Sequence, residues 1–255
     1  MNDQNHQHLK RLRSTHQRRL QVLELQAANF GLAATPAHIL IEIEDIKREI
    51  FTIDSQLNLS ELSAETLILQ KKISILFLAA EPKDATQLRL GQEIRDIREK
   101  LQMAKQRDNF VLESRDAVRP GDITQAIFDT DPQIIHFSGH GTSTGELCLE
   151  STVGTIQPIS TDVLTSLFEL VANQVNCVIL NACYSVVQAK AIAKHIPYVI
   201  GMKKAIGDEA AITFAVGFYK ALGAGHTIQE AYKFGCVEIQ LQNIPEHLTP
   251  IILQR

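Results

Sequence analysis

The 255-residue chain lacks any uninterrupted apolar run of bilayer length, which excludes a membrane-spanning helix. It begins with polar residues and histidines, without the positive start, apolar middle and small-residue cleavage site of a secretory leader, so the expected compartment is the cytoplasm. No excess of one charge is present: 25 lysines and arginines face 29 aspartates and glutamates, and nucleic acid is not an expected partner. The four cysteines form no CxxC pair and share no zinc-site spacing with histidine, so neither a metal nor a cofactor is expected. A reducing compartment disfavours disulfides. A free cysteine is ordinarily a small buried hydrophobe, which suffices for Cys148, Cys177 and Cys236. Neither internal repeats nor low-complexity tracts occur.

What is present divides by character. Residues 1–57 carry two charged amphipathic helical patterns around a break at Gly31-Leu32-Ala33-Ala34. In the second, Thr35 and Pro36 suit a helix start, and Ile39, Ile43, Ile46, Ile50, Ile53 and Leu57 recur at three- and four-residue steps. The first mixes leucines with Lys10, Arg11, Arg13, Arg18 and Arg19, and the pair is expected to fold back as an antiparallel hairpin. So small a hairpin buries too little alone and needs a partner surface: the main domain, another copy or another protein. The basic cluster reads as a solvated face opposite Glu42, Glu44 and Asp45. Residues 58–71 read as a linker or short extra helix.

From residue 72 to 255 strand and helix patterns alternate. Strands are expected at 73–80, 110–113, 133–137, 177–180 and 198–202, a β-ribbon at 146–156, and a last apolar run at 251–253. Helices are expected near 88–104, 123–128, 161–172, 185–195, 209–222 and 228–240. Alternation of this kind indicates an α/β fold with a mostly parallel sheet covered on both faces.

Two of these strands end in reactive side chains. Ile134-Ile135-His136-Phe137-Ser138-Gly139-His140-Gly141 and Val178-Ile179-Leu180-Asn181-Ala182-Cys183-Tyr184-Ser185 each run from an apolar stretch into a polar motif. Open α/β sheets collect ligands and chemistry beyond the carboxyl ends of their strands, so His140 and Cys183 are candidates to meet there. A thiolate beside an imidazole is the minimum equipment for cysteine-dependent acyl transfer. Gly139, Gly141 and Gly145 also form a GxGxxxG pattern, but a dinucleotide site needs a helix to open at once and residues 145–149 alternate like a strand. His136, four residues from His140, would lie about 13 Å away along a strand, too far to share one metal ion. It reads as a core or supporting histidine.

HFSGHG, NACYS and VIGMKKAIGDEAAITFAVGFYKALGAGHTIQEA together resemble the bacterial CHAT domain, part of the caspase, separase and gingipain group of cysteine peptidases. The resemblance covers about residues 72–255 and implies a caspase-like α/β/α sandwich preceded by the helical hairpin. It implies His140 as general acid or base and Cys183 as nucleophile, with the backbone N–H groups of Gly141 and Cys183 stabilising the oxyanion. Related separases keep acids near the substrate pocket, which nominates Asp208, with Glu209 a weaker candidate; an aspartate at a helix start is otherwise an ordinary cap. Arg89 and Glu93 are read as packing or ion-pairing residues. Tyr184 departs from the caspase pattern, so no preference for aspartate carries over. The expected function is a cysteine endopeptidase acting on a protein partner, an effector in bacterial defence or programmed death, activated by a partner or by assembly through its N-terminal helices. The alternative is a catalytically silent scaffold of the same fold.

Overall fold

The computed structural model describes residues 2–30, 35–68 and 72–255, with side chains for 7–28, 35–54 and 72–255. They form two compact units, Met1–Lys71 and Lys72–Arg255. In the first, α1 (Asn2–Phe30) and α2 (Ala37–Ile68) pack through one apolar stripe, with Leu23, Ile39, Ile43 and Ile46 buried. Ion pairs run in opposite order along the two helices, Arg13 with Asp54 and Arg19 with Glu42, as antiparallel packing requires. The break at 31–34 lies outside the described residues. Residues 58–68, read from the sequence as a linker or short helix, continue α2; from 37 to 68 the chain holds neither glycine nor proline to stop it.

The second unit is an α/β/α sandwich. Its sheet runs β2 (Phe110–Arg115), β1 (Ile73–Ala80), β3 (Ile134–Gly141), β6 (Cys177–Asn181), β7 (Tyr198–Met202) and β8 (Pro250–Gln254). All neighbours are parallel except β7 and β8. The chain enters at β1, places β2 on one side and then crosses to β3 on the other, so the strand order reverses between β1 and β3. A crevice opens at the carboxyl ends of such strands. Because successive side chains alternate, each strand feeds two cores. One face packs on α3 (Leu90–Met103), α7 (Asp208–Gly223) and α8 (Ile228–Leu241), burying Phe77, Ile179, Phe214 and Phe218. The other packs on α4 (Pro120–Thr130), α5 (Thr161–Leu170) and α6 (Val186–Ile192), burying Ile135, Leu180 and Phe168.

β3 runs four residues further than the sequence suggests. Its end is held by antiparallel pairing with β4 (Leu147–Glu150), His140 opposite Cys148 and Gly141 opposite Leu147, and β4 pairs in turn with β5 (Ile156–Ile159). The chain therefore turns only after Gly141, at Thr142 to Glu146, where Gly145 takes φ +87°. A strand follows that turn, not a helix, and the dinucleotide reading of the glycines is removed.

Helices α7 and α8 approach so closely that a Cβ on Gly235 would sit 2.8 Å from both the ring and the carbonyl oxygen of Phe214. Gly235→Ala is expected to lower unfolding free energy by about 1–3 kcal/mol through overpacking, despite the better helix propensity of alanine. Gly91, on α3 with nothing within 4 Å of an added Cβ, serves as control: its alanine variant should be neutral or stabilising by up to about 1 kcal/mol in urea titrations.

Candidate active site

Strand period and register bring the two motifs together. Ser138 of β3 pairs with Asn181 of β6, and two residues further along each chain stand His140, still on β3, and Cys183, on the turn that follows β6. The backbones touch at this level: a Cβ on Gly141 would overlap the carbonyl oxygen of Cys183 and lie 3.1 Å from its carbonyl carbon and 3.4 Å from its amide nitrogen. Only glycine permits that approach. Gly139 is similarly confined, its missing Cβ 2.7 Å from the carbonyl oxygen of Ala80.

His140 is oriented by the segment after β1. Its Nε2 lies 2.7 Å from the Thr86 carbonyl oxygen, and since a carbonyl only accepts, Nε2 carries a hydrogen, which leaves Nδ1 as the basic nitrogen of the neutral ring. That segment is fastened elsewhere: the Glu81 carboxylate accepts the Leu88 N–H at 2.6 Å, the Glu150 carboxylate accepts the Glu81 N–H at 3.1 Å, and Asp84 accepts the Ile156 N–H at 2.8 Å.

Cys183 sits on a braced turn between β6 and α6. The buried Ser185 hydroxyl donates to the Leu180 carbonyl and accepts the Met202 N–H, both at 2.9 Å, tying the turn to β7. Tyr184 is held at φ +56°, a conformation costly for an aromatic residue, while its N–H reaches the Lys204 carbonyl. The Cys183 Sγ is 3.8 Å from the Ile206 carbonyl oxygen, and among the described residues no carbonyl takes up the Cys183 N–H. Burial pushes the thiols of Cys177, Cys148 and Cys236 up, against ionisation. Cys183 is the partly exposed thiol at the carboxyl edge of the parallel strands.

Beneath the pair lies a buried polar network that sequence reasoning undervalued. The carboxylate of Glu93 on α3 accepts the Ser138 hydroxyl at 2.5 Å and the Asn181 amide at 2.7 Å, joining β3 to β6 one period below His140 and Cys183. Asn181 also donates to the Ala211 carbonyl of α7 at 3.2 Å. His136 Nε2 lies 3.2 Å from the same carboxylate without hydrogen-bond alignment, and its Nδ1 meets the Tyr219 hydroxyl at 3.1 Å. Glu93, Ser138, His136 and Tyr219 are at most 2% exposed. A signal existed: Glu93 falls on the apolar stripe of α3 formed by Leu90, Ile94, Ile97 and Leu101.

The pocket candidate Asp208 starts α7 and is already engaged. Its Oδ2 lies 2.6 Å from Arg89 Nε, and its Oδ1 accepts the Arg89 N–H at 3.2 Å. Glu209 follows as an exposed residue in the same first turn. Among the described residues no cluster of three metal-ligating side chains occurs, and no helix is long and apolar enough to cross a membrane.

Glu93→Ala strands the Ser138 and Asn181 donors in a dry interior, and is expected to cost about 1–3 kcal/mol for each donor left without its partner. Glu93→Gln keeps the shape and one carbonyl acceptor and should cost less. Urea denaturation followed by far-UV circular dichroism checks the order.

Comparison with known proteins adds relatives to this geometry. The chain is 25% identical over 178 residues to a Roc-COR-CHAT protease of an unknown prokaryotic organism, covering 67% of this chain and 17% of that protein. It is 24% identical over 196 residues to a probable protease of Gillisia limnaea, covering 71% and 35% respectively. The chain thus spans about a sixth and about a third of these curated relatives. Among solved structures, a secreted C11 cysteine protease from Bacteroides thetaiotaomicron, in complex with an irreversible peptide inhibitor, shares 13% identity at a TM-score of 0.46, covering 63% of this chain and 56% of its own. Caspase-1 from Spodoptera frugiperda shares 12% at 0.48, covering 72% and 86%. The CHAT domain family matches residues 6–233, nearly the whole chain and including the N-terminal helices; this chain belongs to the CHAT domain family.

Proposed function

We propose that the chain is a cysteine endopeptidase in which Cys183 attacks a peptide carbonyl and His140 carries the protons. The observation that supports this most is the pairing that ends β3 and β6 side by side, with the Gly141 backbone packed against that of Cys183. The names of the curated relatives point the same way.

In this reading His140 Nδ1 takes the thiol proton while its Nε2–H stays bonded to Thr86. Sulfur bonds to the carbonyl carbon, and the displaced electron pair rests on an oxygen held by the N–H groups of Gly141 and Cys183. Collapse of this adduct expels the amine, which receives the proton from His140 and leaves a thioester. Water, deprotonated by His140, then attacks the thioester, and release of the acid returns the proton to sulfur. The substrate is a protein segment presented in extended form, and Asp208, two residues after the Ile206 carbonyl that faces Cys183, is the proposed partner of a basic side chain.

The N-terminal helices serve assembly or recruitment, and the whole acts as a partner- or assembly-activated effector in bacterial defence or programmed death. Apolar residues left exposed on the hairpin, including Val22, Leu25, Leu40 and Ile41, support an assembly surface. The expected species in sedimentation is larger than one chain; a monomer at every concentration contradicts the assembly role.

Peptidyl electrophiles bearing basic, acidic or apolar terminal side chains test the chemistry by intact mass. Adducts are expected on Cys183 and on no other cysteine, none in Cys183→Ala, and labelling about 100-fold slower or worse in His140→Ala. Gly141→Ala, whose Cβ has no room beside the Cys183 carbonyl, should lose a factor on the order of 100. Absence of labelling by every probe, with and without candidate partners, would favour the silent scaffold.

A further inference from the structure

One ion pair links the two segments that flank the reactive side chains. Arg89 stands three residues after Thr86, whose carbonyl holds His140, and Asp208 stands two residues after Ile206, whose carbonyl faces the Cys183 sulfur. The pair therefore joins the segment that orients the imidazole to the segment that borders the thiol. Both Asp208 oxygens are occupied, one by the Arg89 guanidinium and one by the Arg89 backbone N–H. Glu209 adds its charge to the field on Arg89, and Glu246 accepts the neighbouring Gly207 N–H at 2.9 Å.

We infer that Arg89 is a specificity-determining residue: its side chain is a resident occupant of the Asp208 carboxylate, and a substrate's arginine or lysine binds there by displacing it. This deepens the peptidase reading and rests on it for the pocket. The exchange is chemically even, one cation replacing another on the same carboxylate oxygen, with no bond made or broken. It is also physically accessible. The Arg89 side chain is 53% exposed and attached by a flexible stem, so it swings into solvent without disturbing the core, and a pair of this exposure holds weakly. The backbone N–H of Arg89 keeps its hold on Oδ1 during the exchange, so the carboxylate stays aimed while Oδ2 changes partner. The consequence is discrimination: a basic side chain with no other contacts fails to compete with an internal group, whereas one carried on a well-held peptide succeeds.

The test measures binding without catalysis. In the 255-residue chain carrying Cys183→Ala, titration calorimetry compares an arginine-terminated tripeptide amide with its leucine-terminated counterpart, in the parent and in Arg89→Met, Asp208→Asn and the combined variant. Arg89→Met should raise the ratio of arginine-peptide to leucine-peptide affinity by about threefold to fivefold, the range a half-exposed ion pair carries. Asp208→Asn should abolish the gain in the combined variant. Arg89→Lys, which keeps a cation on a flexible stem but loses the planar fork, should fall between parent and Arg89→Met and serves if the methionine variant folds poorly. An unchanged or lowered ratio, a gain that survives Asp208→Asn, or no binding by any variant overturns the inference. Electrophile labelling of wild-type Cys183 is read separately, so failure of the peptidase chemistry and failure of the Arg89 role give different results.

Discussion

The register of β3 on β6 is the constraint on which the rest of the site depends. Parallel pairing of Ser138 with Asn181 brings the chain ends that carry His140 and Cys183 side by side, and a slip by one residue would send Ser138 or Asn181 to the opposite core. Backbone hydrogen bonds alone hold such a register loosely at a strand end. Here the Glu93 carboxylate grips one polar side chain from each strand directly beneath the reactive pair, so the slip also strands two buried donors. Burial makes the grip effective, because no water is at hand to replace either bond.

Around that fixed centre the structure keeps its less regular backbone. Tyr184 is held in the left-handed region and Gly141 lies against the Cys183 carbonyl, arrangements that persist only where neighbours over-determine them. Ser185 supplies that determination from below by bonding both to β6 and to β7, while the loop carrying Thr86 is pinned through Glu81, Asp84 and Glu150. Rigid strands set the positions, and pinned loops set the orientations. The Arg89 and Asp208 pair, half in solvent, is the soft element of this arrangement.

Much of the fold was legible because its signals are local and repeated. Apolar runs bounded by turn residues located the parallel strands, and the three- and four-residue spacing of isoleucines located α2. The ends were less legible. β3 runs on through Gly141 because β4 pairs with it, a contact formed by residues that follow in the chain and invisible to a local pattern. α2 runs on to Ile68 because nothing stops it, although its composition turns polar. His140 and Cys183 were legible as strand-end motifs. Glu93, Tyr219 and the Thr86 carbonyl were not, since their roles arise from contacts across 45, 83 and 54 positions of sequence. A carboxylate on an apolar helix stripe was the available clue, and its partners follow from reading β3 and β6 at period two.

Where an acyl-like adduct forms decides whether Cys183 is the nucleophile. A crystal structure of the protein treated with a peptidyl aldehyde would show it: the expected adduct is a hemithioacetal on the Cys183 sulfur, its oxygen between the N–H groups of Gly141 and Cys183, with His140 Nδ1 beside the sulfur. An adduct on another cysteine, or on Cys183 with its oxygen turned away from both N–H groups and His140 out of reach, would contradict it.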